Sequence, residues 1–477
     1  MLFFSDTFLF VLLPLTLVLY YAFGRRSSAF GQKITLLAAS LIFYASWRWR
    51  YVFLLLLACA ITFIAIRLIE RRALKGLSPS IFPFLLGVGG SLSLLVIFKY
   101  SVFWSDVFFD FSGWEGFKRL SVLGRKIVLP LGISFYTLQG AGAVIDRWRA
   151  AKKGLVTERT SILDFFVFKS FFAQLVAGPI TRMHEIFPQL HTLPKAPHPD
   201  RAARGLTIFA VGLAKKILLA DNVAYIVNSL FQSSAVPTSL DAAIGALAYT
   251  LQLYFDFSGY SDMAVGLGAL FGFEIPVNFL SPYRSTSFTE YWRKNHITLS
   301  FWFRDYLYIP LGGSRCGLLK RNLNIIAVMG VAGLWHGASW TFIVWGLYQA
   351  LFIILHRVWL RIRKRFDIGP PNRAFAVGLN FMLLTLGLVL FRATSFERAV
   401  EIYQALGSWT GGIKLLSGIP SLNWAWMAIA TVVILFFPNI HEINIRQSTR
   451  WALATGLLLA VSIAGVTVYS PFIYYQF

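Results

Sequence analysis

Charged side chains are scarce in this sequence. Asp, Glu, Lys and Arg make up 14% of its 477 residues, whereas hydrophobic residues make up 57%. Soluble globular domains carry about 25% charged residues, and the mean hydropathy of this chain is +0.64. A chain with so few charges has too little polar surface for a soluble globular protein, so we predict that lipid is its solvent.

Cysteine is nearly absent, and the histidines are not spaced for metal binding. The two cysteines, Cys59 and Cys316, lie far apart, which excludes a disulfide framework and a cysteine-based zinc site. Three histidines, His184, His191 and His198, recur every seven residues. Prolines between them prevent a shared helical face, so we predict no metal site and no bound cofactor.

Apolar stretches occur almost from one end of the chain to the other. A helix needs about 20 residues to cross a bilayer. The apolar segments are 9–23, 34–47, 51–66, 82–98, 127–145, 162–177, 205–231, 242–273, 323–335, 340–359, 374–391, 424–437 and 451–469. Because several are short, we predict an all-α, polytopic integral membrane protein with about nine to thirteen transmembrane or re-entrant helices.

The connections between these segments are short and basic. No long polar linker interrupts the chain, so we predict a single membrane domain over 1–477, with a motif-bearing core at 127–360 and C-terminal helices at 374–469. The formal net charge is +23, but Lys and Arg occur in short clusters between apolar segments. That distribution is typical of membrane topology signals, and we expect no nucleic-acid partner.

Polar residues inside apolar segments are costly and therefore indicate function. The segment 254–263 carries Asp256 and Asp262, which helical spacing places on different faces. Two carboxylates on different faces do not form a catalytic pair. We expect each to join neighbouring helices by hydrogen bonds, and we retain Asp262 as a candidate substrate-binding residue.

A second polar cluster begins at Ser287. Ser287 and Glu290 have the spacing of a capping box, which predicts a helix start. Aromatic and basic residues follow, up to His296, and this mixture suits a helix at the level of the lipid headgroups. The histidine therefore has two open interpretations, an interfacial side chain or part of a site. We expect the isolated His356 and His441 to be interfacial.

The third cluster surrounds His336. No charged residue lies within ten positions of this histidine, and an apolar run follows it. Burial disfavours the imidazolium, so we expect a neutral ring that can accept a proton. Gly333 and Gly337 permit close helix packing, and the same lack of side chains could leave room for a slender substrate.

Six motifs in order resemble the membrane-bound O-acyltransferase family. They are LPLGISFY at 129–136, GP at 178–179, YFDFSGYSDM at 254–263, Trp292-Arg293 to His296, RDYLYIPLGG at 304–313 and LWHG at 334–337. The resemblance is greatest to the bacterial branch that acetylates alginate. It implies a helical membrane fold around a central tunnel, the family's essential histidine at His336, and its second, more variable polar position at His296.

The resemblance also implies a reaction. Members of this branch take an acyl group from a cytoplasmic thioester and deliver it outward across the bacterial inner membrane, often with a separate extracytoplasmic transferase of the SGNH type. We therefore expect transfer from acetyl-CoA to hydroxyls of an exported polysaccharide, with His336 as general base and His296 orienting the acceptor. The predicted substrate-binding residues are Arg293, Lys294, Asn295, Arg304, Trp335 and Asp262.

Three other functions remain open from the sequence. The first is transfer of D-alanine from a carrier protein to teichoic acid, which differs in its donor. The second is transport of a lipid-linked sugar, although the inverted repeats common in transporters are not visible. The third is a membrane scaffold without chemistry.

Overall fold

A computed structural model describes residues 1–125, 127–445, 448–466 and 472–473. Within these ranges the regular structure is helical, without strands. Seven helices among the described residues are long and apolar enough to cross a membrane. They are Thr7–Arg25, Ala29–Arg48, Arg50–Ala73, Ile81–Ser112, Trp340–Arg365, Arg373–Arg392 and Ser421–Glu442. The predicted all-α, multi-span class is thus confirmed.

The number of long apolar helices is smaller than the nine to thirteen spans predicted. The segments 127–145, 162–177, 205–231, 242–273, 323–335 and 451–466 overlap helices that are shorter or more polar than the seven, and the predicted end of the last segment, 467–469, lies outside the described residues. Large apolar side chains on the seven helices are often exposed, for example Phe10, Phe53 and Phe82 at 61–65%. Such exposure is expected of side chains that contact lipid.

The chain divides into two compact units, Met1–Phe209 with Met263–Pro276, and Ala210–Asp262 with Val277–Phe477. The helices of the first unit are α1 (Leu13–Arg25), α2 (Ala29–Arg48), α3 (Arg50–Ala73), α4 (Ile81–Leu95), α5 (Ser101–Ser112), α6 (Glu115–Gly124), α7 (Ile133–Lys152), α8 (Ile162–Ser170), α9 (Phe172–Leu175) and α10 (Met183–His191). Helix α11 (Pro199–Ala214) begins in this unit and continues into the second.

The three polar clusters lie in the second unit, apart from Met263 at the end of the first cluster, which belongs to the first unit. The helices of the second unit are α12 (Asp221–Phe231), α13 (Ser239–Leu270, which ends in the first unit), α14 (Phe288–Lys294), α15 (Ile297–Phe303), α16 (Leu318–His336), α17 (Trp340–Arg365), α18 (Arg373–Arg392), α19 (Phe396–Ser408), α20 (Ser421–Phe436) and α21 (Thr449–Ala464). Wider π-helical turns occur at Lys215–Ala220 and Arg304–Tyr308.

Polar caps define where many helices begin. Side chains that accept a hydrogen bond from the first helical turn are Ser28, Ser80, Ser161, Ser287, Ser339, Asn372, Ser395 and Ser448. Each cap satisfies a backbone N–H that the helix itself leaves without a partner. The predicted start at Ser287 is confirmed, although the carboxylate of Glu290 accepts from the N–H of Thr286 and not from that of Ser287.

Buried charges in the first unit are paired. Glu70 is fully buried on α3 and accepts a 2.7 Å hydrogen bond from the guanidinium of Arg147 on α7. The backbone N–H of Thr160 also donates to this carboxylate, at 3.0 Å. The ammonium of Lys169 donates to the carbonyl of Ala58 at 2.7 Å. Burial of a charge is tolerated only with such partners.

Helices α16 and α17 of the second unit approach each other through glycine. A Cβ atom on Gly333 would lie 2.2 Å from the carbonyl oxygen of Phe342, and one on Gly346 would lie 2.2 Å from that of Met329. A Cβ atom on Gly337 would strike the ring of Phe342 at 2.1 Å. These glycines therefore serve close helix packing, and the space left by their missing side chains is filled by protein.

Two lysines on the π-helical turn form ion pairs with the carboxylates of α13. Lys216 lies 2.7 Å from Asp256, and Lys215 lies 2.6 Å from Asp262. The expectation that these carboxylates join neighbouring helices is confirmed. His441 corrects another expectation: its side chain is 4% exposed and its Nε2 lies 2.9 Å from Asp262, because a buried carboxylate attracts a second polar partner.

Candidate functional site

His296 lies in a strained turn between α14 and α15. Its backbone has φ +46° and ψ +51°, the left-handed region that a non-glycine residue seldom adopts. Asn278 holds the turn: its carbonyl accepts from the N–H of Ile297 at 3.0 Å, and its side-chain oxygen accepts from the N–H of Thr298 at 3.1 Å. Strain of this kind persists where the surroundings enforce it, and such places are often functional.

His336 is the last residue of α16. Its imidazole is surrounded by aromatic rings, with ring-centroid distances of 4.9 Å to Trp335, 5.2 Å to Trp345 and 5.2 Å to Phe391. The two histidine rings are 6.4 Å apart, and both residues are buried, with 2% and 4% exposure for His296 and His336. Two histidines forty positions apart in the sequence thus converge.

The two imidazoles line one small cavity. Its volume is about 30 Å³, and its walls are Leu253, Tyr254, Phe257, Phe279, Tyr283, Tyr291, Trp292, Asn295, His296, His336, Trp345, Leu388 and Phe391. Among the residues that the structure describes, no carboxylate, lysine or arginine lines it. A cavity of this size holds one or two water-sized groups.

The protein surroundings keep His296 neutral. This residue lies outside the seven spanning helices, and its burial lowers the pKa of the imidazole from 6.5 to about 3. Phe257 packs edge-on against the ring at 4.7 Å, which excludes water from that side. A neutral imidazole can accept a proton or a hydrogen bond, whereas it cannot serve as a cation at physiological pH.

The predicted site residues separate into two groups. His296, His336 and Asn295 line the cavity, and Trp335 lies beside both imidazoles, 5.8 Å from the ring of His296. The others do not line it. Lys294 binds the carboxylate of Glu290 at 2.7 Å, Arg304 binds that of Asp305 at 2.6 Å, Arg293 is exposed, and Asp262 is held by Lys215 and His441. Their substrate-binding roles stay predictions.

Sequence reasoning missed several walls of the cavity. Trp345, Leu388 and Phe391 belong to apolar spans, where an aromatic or aliphatic residue has the same appearance as any core or lipid-facing residue. Trp345 could have been suggested by the sequence, because it follows His336 by only nine residues and one short turn joins their helices. Among the described residues, no cluster of three His, Cys, Asp or Glu side chains could hold a metal ion.

Comparison with known proteins identifies the family. The model of the membrane-bound O-acyltransferase family matches residues 145–388. Over the full length of both chains, this sequence is 36% identical to a protein of Pseudomonas putida named "probable alginate O-acetylase AlgI". It is 34% identical to a peptidoglycan O-acetyltransferase of Helicobacter pylori, over 85% of this chain and 80% of the relative. A teichoic acid D-alanyltransferase of Bacillus subtilis is 25% identical over 57% of this chain and 71% of its own.

The family match covers half of the chain, and the two O-acetylating relatives cover most or all of it. The paired histidines lie within the matched region. This chain therefore belongs to the membrane-bound O-acyltransferase family and is a multi-pass membrane enzyme that transfers acyl groups to oxygen.

Proposed function

We propose that this protein moves an acetyl group from cytoplasmic acetyl-CoA toward hydroxyl groups of an exported or cell-surface polysaccharide, in the bacterial cytoplasmic membrane. The observation that carries the proposal is the pair of buried histidines in a small cavity whose described walls carry no ionic side chain. Relatives that acetylate alginate or peptidoglycan support the same acyl group and the same class of acceptor.

His336 acts as the general base. It takes the proton of the acceptor hydroxyl while the oxygen attacks the thioester carbonyl carbon, and a tetrahedral intermediate forms. Its collapse breaks the C–S bond, the imidazolium returns the proton to the departing sulfur, and CoA leaves as a thiol. Acetyl has then moved from sulfur to oxygen without any other reactant.

His296 orients the acceptor. Two hydrogen bonds of about 2.8 Å on either side of one oxygen span roughly 5.6 Å, so one hydroxyl between rings whose centroids are 6.4 Å apart can contact both. Because burial holds the pKa of His296 near 3, the ring remains neutral and accepts or donates a hydrogen bond without adding charge. Asn295, next to it in the cavity wall, offers an amide for the same purpose.

The size and charge of the cavity favour acetyl over D-alanyl. A D-alanyl group carries an ammonium, which needs a carboxylate or comparable partner when it leaves water. No described wall residue is acidic, and a volume of about 30 Å³, room for one or two water-sized groups, suits the smaller acetyl group better than the D-alanyl group. An uncharged acetyl group has no such requirement.

The phosphates of CoA need cations, and a second cavity supplies them. This cavity of about 590 Å³ is bounded by α14, α17 and α18, the helices that also carry Trp292, Trp345 and Phe391 of the site. Arg363 and Arg373 line it, without a carboxylate among its described walls. Lys294 and Arg304, by contrast, are already bound to carboxylates.

The faces of α17 connect the two cavities. Trp345 lines the first, and Phe352 and Trp359, at successive intervals of seven residues, line the second. Seven residues are about two helical turns, or roughly 10 Å, so these side chains share one face. We infer that the phosphates bind at Arg363 and Arg373 and that the thin pantetheine arm extends along this face toward His336.

The proposal is tested by following label from acetyl-CoA into extracytoplasmic carbohydrate. Inside-out membrane vesicles that contain the protein and its neighbouring gene products receive labelled acetyl-CoA, with equal amounts of wild type, His336→Ala and His198→Ala. His198 is exposed, far from the site in sequence, and serves as the matched histidine control. We expect transfer by the wild type and by His198→Ala, and loss of transfer in His336→Ala.

Other outcomes would replace the proposal. If the wild type ignores acetyl-CoA but transfers label from a D-alanyl thioester on a carrier protein, the donor is wrong. If transfer survives in His336→Ala, the base is wrong. Omission of an SGNH-type extracytoplasmic partner tests whether that partner completes the reaction: accumulation of label in membrane-bound material, with none in polymer, supports its role.

A further inference from the structure

One polar group of the cavity has no role in this mechanism. The indole of Trp345 lies on α17 and is 3% exposed, yet its N–H has no hydrogen-bond acceptor among the residues that the structure describes. Buried tryptophan N–H groups normally find an acceptor. An unsatisfied buried donor therefore requires an explanation, and a functional site is one place where such a donor is retained.

A neighbouring tryptophan shows the ordinary arrangement. Trp292 lines the same cavity, and its ring centroid lies 6.0 Å from that of Trp345. The N–H of Trp292 donates to the side-chain oxygen of Gln349 at 3.2 Å. The cavity thus contains one indole donor that the protein satisfies and one that it does not.

The unsatisfied donor is fixed beside the proposed base. The ring of Trp345 meets that of His336 edge to face, with centroids 5.2 Å apart and planes at 88°. Phe391 packs against the same indole at 4.9 Å. The glycine contacts of α16 and α17 hold the two helices together. A donor held in this way is preorganised and need not reorient during the reaction.

We propose that the indole N–H of Trp345 donates to the carbonyl oxygen of the acyl thioester and stabilises the negative charge that this oxygen gains in the tetrahedral intermediate. The inference rests on the proposed function. As the acceptor oxygen bonds to the carbonyl carbon, the C=O π electrons move onto oxygen and the acceptor proton moves to His336. When the C–S bond breaks, the C=O bond re-forms and the proton passes to sulfur. The N–H itself is neither consumed nor transferred.

The other indole donor of the cavity, that of Trp292, is committed to Gln349. Tyr254, Tyr283 and Tyr291 also line the cavity. Their hydroxyl hydrogens rotate, whereas the direction of an indole N–H is fixed by its ring. No lysine or arginine is present among the described wall residues to take the place of an oxyanion donor. Trp345 therefore offers a rigid donor for this interaction, without an acceptor among the described residues and with its ring 5.2 Å from that of His336.

The experiment compares tryptophan variants in the membrane-vesicle assay, with initial rates at varied acetyl-CoA. Trp345→Phe keeps an aromatic ring and removes the N–H. Loss of one oxyanion donor lowers kcat by about 10²–10³-fold, and we expect that loss with KM for acetyl-CoA changed by less than about threefold, because the interaction forms only in the transition state. Trp340→Phe, on the exposed start of the same helix, is expected to retain wild-type kinetics.

Two further variants separate the N–H from ring volume. Trp292→Phe removes equal bulk from the same cavity but an N–H that is already satisfied, and its effect on kcat should be at least tenfold smaller than that of Trp345→Phe. Benzothienylalanine at position 345 keeps the bicyclic shape and replaces N–H by sulfur. It should lower kcat as Trp345→Phe does, with membrane abundance and thermal stability at wild-type level.

The outcomes are distinguishable. A wild type that transfers no acetyl group refutes the proposed function, and this inference with it. A wild type that transfers acetyl while benzothienylalanine at position 345 leaves kcat within about threefold refutes this inference alone. An equal loss of kcat in Trp292→Phe and Trp345→Phe would also refute it, because ring volume would then explain both.

Discussion

The close contact between α16 and α17 is expected to control the position of His336. Gly333→Ala would place a Cβ atom 2.2 Å from the carbonyl oxygen of Phe342, whereas real Cβ contacts stay above 3.0 Å. The helices must therefore separate locally by about 1 Å. A displacement of that size at a catalytic group costs about 10²-fold in rate, and overpacking costs about 1–3 kcal/mol of stability.

The matched control lies one helical turn earlier. A Cβ atom on Gly330 would meet only the side chain of Leu347, at 3.8 Å, an ordinary contact. Alanine is preferred over glycine inside a helix by about 0.5–1 kcal/mol, so Gly330→Ala should keep wild-type activity and melt slightly higher. Acetyl transfer per molecule and thermal stability in detergent are measured for both variants.

The reasoning has a clear point of failure. If Gly333→Ala transfers acetyl at the wild-type rate, the helix contact does not set the geometry of His336. If Gly330→Ala and Gly333→Ala lose activity equally, the loss follows from glycine replacement in α16 in general. Only a selective loss at Gly333 supports the contact argument, and Gly346→Ala, with its contact to Met329, should reproduce it.

Four other predictions follow from the charges. Arg363→Glu should raise the KM for acetyl-CoA about tenfold, since a charged hydrogen bond contributes about 1.5–3 kcal/mol. The same change at the exposed Arg361, outside the cavity walls, should leave this KM unchanged. An equal rise in KM for both variants would remove Arg363 from donor binding. Asp262→Asn leaves Lys215 buried without its carboxylate and should cost about 3–5 kcal/mol in unfolding free energy; a KM effect at full stability would instead favour substrate binding. Glu70→Gln should destabilise the first unit by about 3 kcal/mol, because Arg147 loses its carboxylate partner. Thermal unfolding measures the loss, and unchanged stability would show that this contact is dispensable. His296→Asn should leave the acidic limb of the pH–activity profile unchanged above pH 5, because the wild-type pKa is about 3; a shifted limb would contradict a neutral ring.

The last of these predictions also has a consequence for stability. The folded pKa of His296, about 3, lies below the ordinary value of 6.5. Between these values the unfolded chain binds a proton that the folded chain does not, so stability falls as the pH drops from about 6.5 toward 3. His296→Asn removes this dependence. Its melting temperature should decline less than that of the wild type between pH 7 and pH 5.

The two cavity histidines could be singled out because their surroundings in the sequence are unusual. His336 interrupts a long uncharged stretch, and His296 follows a recognisable helix start at Ser287. Ordered motifs linked the two, although forty residues separate them. Their spatial convergence, and the strained backbone of His296 that Asn278 enforces, depend on long-range contacts that no local pattern encodes.

The partners of the buried carboxylates could not be predicted in the same way. Asp256 and Asp262 were visible as charges on an apolar helix, and Lys215 and Lys216 as charges in another apolar segment. Nothing in the spacing indicated which lysine binds which carboxylate, since the partners lie 40 and 47 residues apart in the sequence. His441 was less visible still, because proline and polar neighbours gave it the appearance of a surface residue.

These ion pairs explain how a charged motif can coexist with an uncharged cavity. Each carboxylate of the motif at 254–263 is paired with a lysine at 2.6–2.7 Å, although Lys216 is shared with Asp221, so neither carboxylate stands as an unpaired charge. A nearby unpaired carboxylate would favour protonation of a neutral imidazole and remove the base. Pairing with Lys215 and Lys216 therefore lets α13 place Tyr254 and Phe257 in the cavity wall without bringing an unpaired carboxylate with them. On this argument, replacing Lys215 by methionine should damage catalysis as well as stability, because Asp262 would lose its lysine and keep His441 as its partner.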